Sequence, residues 1–231
     1  MVNGRCLGLI GGLGVGAATH YYAELARMHR ERGRLLDLVI VHAETDRIFE
    51  YAQTGDRSGM ASYLLGFVDR LQAAGAEFAT IPAVTPHLCI EQLVERSPLP
   101  VLDIFTPLRR ELRRLGIHRA GILGTRFVMD SEMFGALEGI EFVHAAKEEE
   151  DLVHRTYVEL AAAGHATEQQ RNALVEIGRT LCDRGAETVL LAGTDLVAAF
   201  RQKPTEFPST DCAALHLADI VNGLLFQDSV V

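Results

Sequence analysis

An internal repeat constrains the fold of this chain more than any other feature of its sequence. The triplet Gly-Ala-Glu occurs at Gly75–Glu77 and again at Gly185–Glu187, and each copy precedes a short apolar segment. A second pair of similar segments, Gly8–Gly12 and Gly121–Thr125, occurs in the same order. Two matches in the same order indicate that one structural unit is duplicated along the chain.

Short apolar runs alternate with longer helical patterns from one end of the chain to the other. The runs predict strands at Cys6–Ile10, Leu36–His42, Phe78–Ile81, Val101–Asp103, Ala120–Leu123, Glu141–His144 and Thr188–Ala192. Helical periodicity is present at Ala17–Arg32, Met60–Ala74, Pro107–Leu115, Glu149–Ala163, Glu168–Arg184 and Cys212–Phe226. Several strands are apolar almost throughout, as is typical of strands buried on both faces of a parallel sheet. This order predicts a layered α/β fold with mainly parallel sheets.

The repeat predicts two pseudo-symmetric α/β halves, residues 1–104 and residues 105–210. The C-terminal helix, residues 211–226, is expected to pack back on the first half. An active-site cleft is expected between the halves, at the carboxyl ends of the strands. Helix N-caps are predicted at Thr106, which precedes Pro107, at Thr167 with Gln170 as a capping box, and at Asp211.

Composition excludes several classes of partner. The net charge is −9, there is no Trp, and aromatic residues make up only 6% of the chain, so nucleic acid is not an expected partner. No stretch approaches the roughly 18 apolar residues of a membrane span. The chain has four cysteines without close ligand spacing, which argues against a metal site or disulfide framework and favours a reducing cytoplasm.

A glycine-rich loop, Gly11–Gly16, lies between the first predicted strand and the first helix. Glycines such as Gly12 and Gly14 let a backbone approach a ligand closely, and the N-terminus of the next helix favours an anion. We interpret the loop as a carboxylate-binding turn. Binding of a nicotinamide cofactor and a purely structural tight turn are the alternatives.

Polar residues follow the third predicted strand and its counterpart in the second half. Thr85 and His87 can bind a carboxylate or move a proton, and Thr194 and Asp195 occupy the equivalent place. The alternatives are local: Thr85 caps a helix containing residues 88–94, His87 is merely exposed, and Asp195 caps a short helix at residues 196–200.

Two arginines are candidates for pairing with a substrate carboxylate. Arg126 follows Thr125 after the first strand of the second half, and Arg47 follows the second strand of the first half. Thr125 and the neighbouring backbone amides form a further possible anion site. For each arginine the alternative is a surface salt bridge.

Taken together, these segments resemble the aspartate/glutamate racemase superfamily, from near the first residue to the last helix. The matching segments are Gly8–Gly14, Tyr21–Tyr22, Gly75–His87, Leu123–Arg126, Gly185–Asp195 and His216. The resemblance implies an active site between two pseudo-symmetric halves, a homodimer, and no metal or pyridoxal phosphate. It also implies that one cysteine removes an α-proton beside a carboxylate while a second returns a proton from the opposite face.

Both cysteines of that chemistry are replaced in this chain. The first family motif, Pro-Cys-Asn-Thr-x-His, aligns with Pro82–His87, which places Ala83 at the cysteine position. The second motif, Gly-Cys-Thr-Glu, aligns with Ala192–Asp195 and places Gly193 there. Cys89 is expected to belong to the core, and Cys212 would approach the cleft only if the last helix folds back.

The resemblance implies a small carboxylate or amino acid as the ligand. Candidate binding residues are Gly12, Gly14, Arg47, Thr85, Thr125, Arg126 and Thr194. His87 and Asp195 are the candidate base and acid of a non-cysteine isomerisation, decarboxylation or elimination. Two alternatives are a non-catalytic carboxylate-binding or regulatory homologue and a true amino-acid racemase with a different acid/base pair.

Overall fold

The structure is a computed structural model that describes residues 5–201 and 203–226. The strands of these residues are β1 Leu7–Gly11, β2 Leu38–His42, β3 Phe78–Thr80, β4 Val101–Leu102, β5 Arg119–Gly124, β6 Glu141–Val143, β7 Thr188–Ala192 and β8 Ser209–Asp211. The helices are α1 Val15–Glu31, α2 Thr45–Thr54, α3 Arg57–Ala73, α4 Ile90–Arg96, α5 Phe105–Leu115, α6 Arg126–Asp130, α7 Lys147–Ala163, α8 Glu168–Asp183, α9 Val197–Phe200 and α10 Cys212–Phe226.

The chain divides into two compact units. The first contains the described residues up to Asp103 and those from Ala214 onward, and the second comprises Ile104–Ala213. Each unit has one four-stranded sheet, with the order β2-β1-β3-β4 in the first and β6-β5-β7-β8 in the second. Every strand pair is parallel. The α/β fold with mainly parallel sheets is therefore confirmed, and the identical strand orders explain the repeat in the sequence.

The glutamate of each Gly-Ala-Glu triplet has the same place in its own unit. The Glu77 backbone N–H donates to the Cys6 carbonyl over 2.8 Å, and the Glu187 N–H donates to the Arg119 carbonyl over 2.9 Å. Each side chain accepts a hydrogen bond in return, Glu77 from the Cys6 N–H at 3.1 Å and Glu187 from the Arg119 N–H at 2.8 Å. The triplet thus connects the end of a helix to the first strand of its sheet.

Glycines on the central strands allow a helix to pack closely on each sheet. A Cβ added to Gly8 on β1 would lie 2.8 Å from Leu71 Cδ1, and one added to Gly121 on β5 would lie 2.9 Å from Leu181 Cδ1. Both distances are shorter than a carbon–carbon contact allows. The two positions are therefore equivalent, and each sheet contacts the helix that precedes its third strand in the chain.

The seven predicted strands are present, with ends shifted by at most two residues. β8 was not predicted, because Ser209–Asp211 is a polar tripeptide without an apolar run. The six predicted helices are also present, and α2 is an additional helix in the first unit. None of the helices in the described part of the chain is long and apolar enough to span a bilayer.

Two of the three predicted helix caps are confirmed. Thr167 accepts from the Gln170 N–H at 3.2 Å, and the Gln170 side chain accepts from the Thr167 N–H at 2.9 Å. Asp211 accepts from the Ala213 N–H at 2.9 Å. The cap at Thr106 is wrong, because α5 begins one residue earlier, at Phe105.

Candidate active-site residues

Ala83, which the resemblance aligns with the first family cysteine, lies in a buried turn after β3. Ala83 is 5% exposed, and a short 3-10 turn, Thr85–Cys89, begins two residues later. Neither this turn nor α4 has a side-chain cap, so the interpretation of Thr85 as a helix cap is wrong. Thr85 itself is buried at the start of the turn.

His87 is buried in the same turn, with only 1% of its surface exposed. Its Nδ1 lies 2.8 Å from the Ala83 carbonyl oxygen. Because a carbonyl only accepts, Nδ1 donates this bond and Nε2 is the unprotonated nitrogen of the neutral ring. Burial lowers the pKa of His87, and the Asp103 carboxylate only partly opposes that shift. The alternative that His87 is merely exposed is wrong.

His216 on α10 belongs to the same unit and connects this helix to strands β3 and β4 of the first sheet. Its Nε2 lies 2.9 Å from the Leu102 carbonyl and 3.1 Å from Thr80 Oγ1, and its Nδ1 lies 3.1 Å from the Tyr21 hydroxyl. Nε2 therefore donates to the carbonyl, and Nδ1 accepts from Tyr21. Burial first, and then the neighbouring His87, lowers the pKa of His216 to about 3. His216 thus has a structural role in the first unit.

The glycine-rich loop is a tight turn whose glycines are required by the backbone. Gly12 has φ 86°, and a Cβ added there would overlap the Ala43 carbonyl oxygen. The Thr45 hydroxyl donates to the Gly12 carbonyl over 2.7 Å. Gly14 has φ 121° and is the N-cap of α1. These contacts support the structural interpretation of the turn, which is compatible with carboxylate binding at the start of α1.

Gly193, which the resemblance aligns with the second family cysteine, lies in a buried turn after β7. Gly193, Thr194 and Asp195 are all buried, and Gly193 has an extended backbone with φ −149°. Asp195 does not cap the following helix, since neither the 3-10 turn Thr194–Leu196 nor α9 has a side-chain cap. Instead, its Oδ2 accepts a hydrogen bond from the Tyr157 hydroxyl at 3.1 Å. The N-cap interpretation of Asp195 is therefore wrong.

Tyr157 on α7 occupies the space next to Gly193. A Cβ added at Gly193 would overlap the Tyr157 ring at Cε2, and it would lie 2.9 Å from Cδ2 and 3.0 Å from Cζ. The Tyr157 ring therefore occupies the position that the Cβ of any larger residue at 193 would take. The sequence does not identify Tyr157 as a site residue. It lies 36 positions from Gly193 in the apolar stripe of α7, and a tyrosine there is predicted to be a core residue.

The Tyr157 hydroxyl is held protonated by its surroundings. Burial is the largest cause of a pKa well above that of an ordinary tyrosine, and the Asp195 carboxylate adds to the shift. The Thr194 side chain and the Asp195 backbone N–H act in the opposite direction, because they donate to the phenol oxygen. Tyr157 is thus a neutral buried phenol whose oxygen is contacted by one carboxylate and two donors.

The candidate residues around Thr125 are already bonded within the second unit. Thr125 Oγ1 is the N-cap of α6 and accepts from the Val128 N–H at 3.4 Å. The Arg126 N–H donates to Nδ1 of His154 over 3.3 Å, and its guanidinium pairs with Asp151 at 2.9 Å. A ligand at this loop would have to compete with these partners.

Both candidate arginines form ion pairs near the surface. Arg47 pairs with Glu50 at 2.8 Å, and their side chains are 59% and 62% exposed. The Arg126 and Asp151 side chains are 42% and 34% exposed. The surface-salt-bridge interpretation therefore describes both arginines in this structure. Pairs of this exposure contribute little to stability.

The thiols of the chain are unsuited to acid/base chemistry. Burial raises the pKa of Cys6 to about 11 and that of Cys89 to about 12, and it raises the pKa of Cys182 and Cys212 as well. The Cys89 thiol donates to the Pro86 carbonyl over 3.3 Å, in agreement with its predicted place in the core. Among the residues that the structure describes, no three His, Cys, Asp or Glu side chains are grouped to hold a metal ion.

Comparison with known proteins places this arrangement in a family. The family model for Asp/Glu/hydantoin racemases matches residues 10–220. A candidate Asp/Glu racemase from Yersinia pestis is 22% identical and has a TM-score of 0.80, covering 96% of this chain and 99% of its own. An aspartate racemase homologue from Pyrococcus horikoshii OT3 is 24% identical, with a TM-score of 0.77 and coverage of 95% and 99%.

A more distant structure contains a ligand. Glutamate racemase from Francisella tularensis, in complex with D-glutamate, is 14% identical with a TM-score of 0.67, covering 97% of this chain and 82% of its own. Likeness at this identity concerns the fold, whereas the family match extends over most of the chain. The chain belongs to the Asp/Glu/hydantoin racemase family.

Proposed function

We propose that this protein acts on a small carboxylate or amino acid without a cofactor, by acid/base chemistry that uses no thiol. The observation that carries the proposal is the pair of replacements at the family's cysteine positions. Ala83 has only a methyl group, and Gly193 has no side chain and is covered by Tyr157. The raised pKa of all four cysteines adds support, because none of them is a ready thiolate at neutral pH.

Binding of a carboxylate is supported by the loops that each unit retains. Thr85 in the first unit and Thr194 in the second follow the third strands of their sheets, as in the family motifs. The start of α1 after Gly14 offers backbone N–H groups and the positive end of a 17-residue helix. Arg47 and Arg126 would exchange an exposed carboxylate partner for a ligand carboxylate at small cost.

The proposed reaction transfers a proton on one side of the substrate. Racemisation needs a proton carrier on each face of the reacting carbon. In the first unit the Ala83 methyl carries none, and His87 is a neutral, deeply buried imidazole whose pKa is lowered. Isomerisation, decarboxylation or elimination can proceed with one proton carrier. In the second unit, Asp195 and the Tyr157 hydroxyl bonded to it are the ionisable groups next to Gly193.

A second candidate function is carboxylate binding without catalysis. The observation in its favour is the Tyr157 ring, which takes the space of the missing side chain at Gly193. The Tyr157 ring then fills the space in which the resemblance implies a proton-carrying cysteine side chain. The protein would then be a binding or regulatory homologue that retains only the ligand-holding loops.

Two measurements on the intact protein test the proposal. Thermal unfolding is followed with L-aspartate, L-glutamate, succinate and methylmalonate, and each compound is incubated with the protein in deuterium oxide. We expect a rise in melting temperature with at least one compound, and deuterium at carbon in one enantiomeric product only. Deuterium in both enantiomers of an amino acid would identify a true racemase and contradict the proposal.

The matched variants are His87→Ala and Asp195→Ala, with Arg113→Ala on the exposed face of α5 as the control. If Asp195→Ala preserves full deuterium incorporation, Asp195 is not part of the reaction. Binding without any incorporation would favour the non-catalytic candidate. The homodimer expected from the resemblance is tested separately by sedimentation equilibrium.

A further inference from the structure

We infer that Tyr157 takes the place of the second family cysteine, and that its hydroxyl delivers the proton to the reacting carbon of the ligand. The inference rests on the proposed function, since it names the proton donor of that reaction. Asp195 and Thr194 become positioning residues for this hydroxyl. The protein would then be a phenol-dependent member of a family whose chemistry the resemblance assigns to thiols.

The Tyr157 ring occupies the space that a side chain at position 193 would need. In the family motif the residue aligned with Gly193 has a Cβ, and a Cβ at this place would overlap Tyr157 Cε2. Ring and side chain therefore exclude each other, and a glycine at 193 is what allows the ring to enter. Since the backbone of Gly193 is extended, with φ −149°, the glycine is not needed for its conformation. The small residue is explained by the space that Tyr157 takes.

Filling the space beside Gly193 does not require the Tyr157 hydroxyl. A phenylalanine or leucine would fill the same space at no electrostatic cost. Tyr157 instead brings a hydroxyl into a buried region, where it donates to the Asp195 carboxylate over 3.1 Å. Burying a carboxylate and a phenol together is costly unless they are bonded. A purely structural filler does not account for this pair.

Proton transfer from the Tyr157 hydroxyl balances for a decarboxylation. When a ligand loses carbon dioxide, the C–C bond breaks and its electron pair stays on the carbon, delocalised into the remaining carboxylate. That carbon takes the proton of the Tyr157 hydroxyl, so that the O–H bond breaks and a C–H bond forms. The phenolate oxygen left behind accepts from the Thr194 side chain and the Asp195 backbone N–H, and water returns the proton.

Asp195 orients this donor and raises its pKa. Its carboxylate accepts from the Tyr157 hydroxyl over 3.1 Å and so favours the protonated phenol. A donor must carry its proton when the carbanion forms, and its pKa must still lie far below that of the carbon acid. Removing the charge in Asp195→Asn should therefore move the upper limb of the pH profile towards lower pH.

The test uses the full-length protein with methylmalonate as the probe, and it measures deuterated propionate formed in deuterium oxide. Tyr157→Phe keeps the ring and removes the hydroxyl, and Tyr22→Phe is the control, because Tyr22 is 53% exposed on α1 of the first unit. We expect Tyr157→Phe to lower the rate about 100- to 10,000-fold, the range typical of a lost general acid. Tyr22→Phe should stay within about twofold of the wild type.

A second measurement does not depend on turnover. With tyrosine labelled at 13Cζ, the Tyr157 resonance is assigned through Tyr157→Phe and followed during titration with succinate. The inference predicts that the ligand shifts this resonance, and that Asp195→Asn shifts the apparent pKa of Tyr157 downward. This measurement decides the matter if a variant is too unstable for the rate assay.

The outcomes separate the two proposals. A Tyr157→Phe rate within threefold of the wild type, or a Tyr157 resonance unmoved by bound succinate, overturns the role of Tyr157 and leaves the proposed function standing. Thermal stabilisation without turnover of any carboxylate overturns the donor role and favours a binding protein. The absence of both stabilisation and turnover overturns the proposed function itself.

Discussion

The two turns that follow the third strand of each sheet have diverged from one repeat in different ways. In the first unit, Ala83 reduces the side chain to a methyl group, and His87 donates to the Ala83 carbonyl as a neutral imidazole. In the second unit, Gly193 removes the side chain and Tyr157 enters the vacated space with its hydroxyl on Asp195. The turn at Ala83 has only a methyl group at this place, whereas the turn at Gly193 has a buried phenol beside it.

A residue missing from a motif can thus have a neighbour from another element in its place, as Tyr157 of α7 lies beside Gly193. Alignment of the motifs alone predicts a missing cysteine at both Ala83 and Gly193. Only the three-dimensional contacts show that a second side chain, Tyr157, fills the space beside Gly193. The following variants test that distinction, beginning with the largest expected effect.

Truncating Tyr157 should be far more costly than truncating Ala83. Tyr157→Ala removes a buried ring, which typically costs about 3–5 kcal/mol of unfolding free energy. Ala83→Gly removes one buried methyl group, which corresponds to about 1 kcal/mol. Urea denaturation at pH 7 measures both. Equal losses at the two positions would contradict the replacement in the second unit.

Adding a methyl group at Gly193 should be harmful only while Tyr157 is present. Gly193→Ala places a Cβ inside the ring, and overpacking of this kind costs about 1–3 kcal/mol. In a Tyr157→Ala background the same change should be neutral or stabilising. The control is Gly66→Ala in α3, where a Cβ meets open space and should stabilise by about 0.5–1 kcal/mol. Additive effects in this double-mutant cycle would exclude the steric argument.

The two units should respond to opposite ends of the pH scale. His216 has a folded pKa of about 3 against an ordinary value of 6.5, so its stabilising effect is complete above about pH 6.5 and is lost as the pH falls towards 3. Each such histidine contributes a slope of about 1.4 kcal/mol per pH unit. Between pH 6.5 and 4.5, the free energy of unfolding of His216→Asn should therefore fall less steeply than that of the wild type, by about 1.4 kcal/mol per pH unit.

Tyr157 predicts the reverse dependence. Its folded pKa is raised above 10, so its contribution is complete below about pH 10 and is lost as the pH rises beyond that value. Tyr157→Phe should flatten the alkaline limb of the stability curve. An alkaline limb with the same slope in the variant and the wild type would contradict the assignment of this titration to Tyr157.

The smallest effect concerns the glutamates of the repeated triplets. Glu187 accepts from two backbone N–H groups, those of His118 at 2.6 Å and Arg119 at 2.8 Å, and these bonds lower its pKa. Glu77 accepts from the Cys6 N–H at 3.1 Å. Glu187→Gln should therefore lower the urea midpoint more than Glu77→Gln. The difference should shrink as the pH falls below about 4.5, where the Glu187 carboxylate becomes protonated in the unfolded chain.

The sequence predicts the fold well because the information it uses is local. Buried parallel strands are apolar runs, and Thr167 and Asp211 have the residue types that cap helices. β8 lacks such a signal, because its three residues are polar and its place depends on pairing with β7. The burial of His87 also escapes prediction, since a polar side chain after a strand is more often exposed.

The candidate site is less predictable, because its decisive contact is non-local. The repeat singles out Asp195 as a candidate, but its hydrogen-bond partner Tyr157 lies on α7, 38 positions earlier in the chain. Periodicity identifies Tyr157 as buried without telling which residue it faces. Arg47 shows the opposite situation, since Glu50 three residues later on the same helix makes the ion pair predictable from spacing alone.

The most direct test of the central claim is deuterium incorporation by protein pretreated with iodoacetamide. The intact chain, its Tyr157→Phe variant and the Tyr22→Phe control are incubated with methylmalonate and with L-aspartate in deuterium oxide, and the products are resolved by chiral analysis and mass spectrometry. We predict that deuterium is incorporated on a single face, that this incorporation survives thiol alkylation, and that it is lost in Tyr157→Phe. Racemic product, or incorporation abolished by alkylation, would contradict this claim.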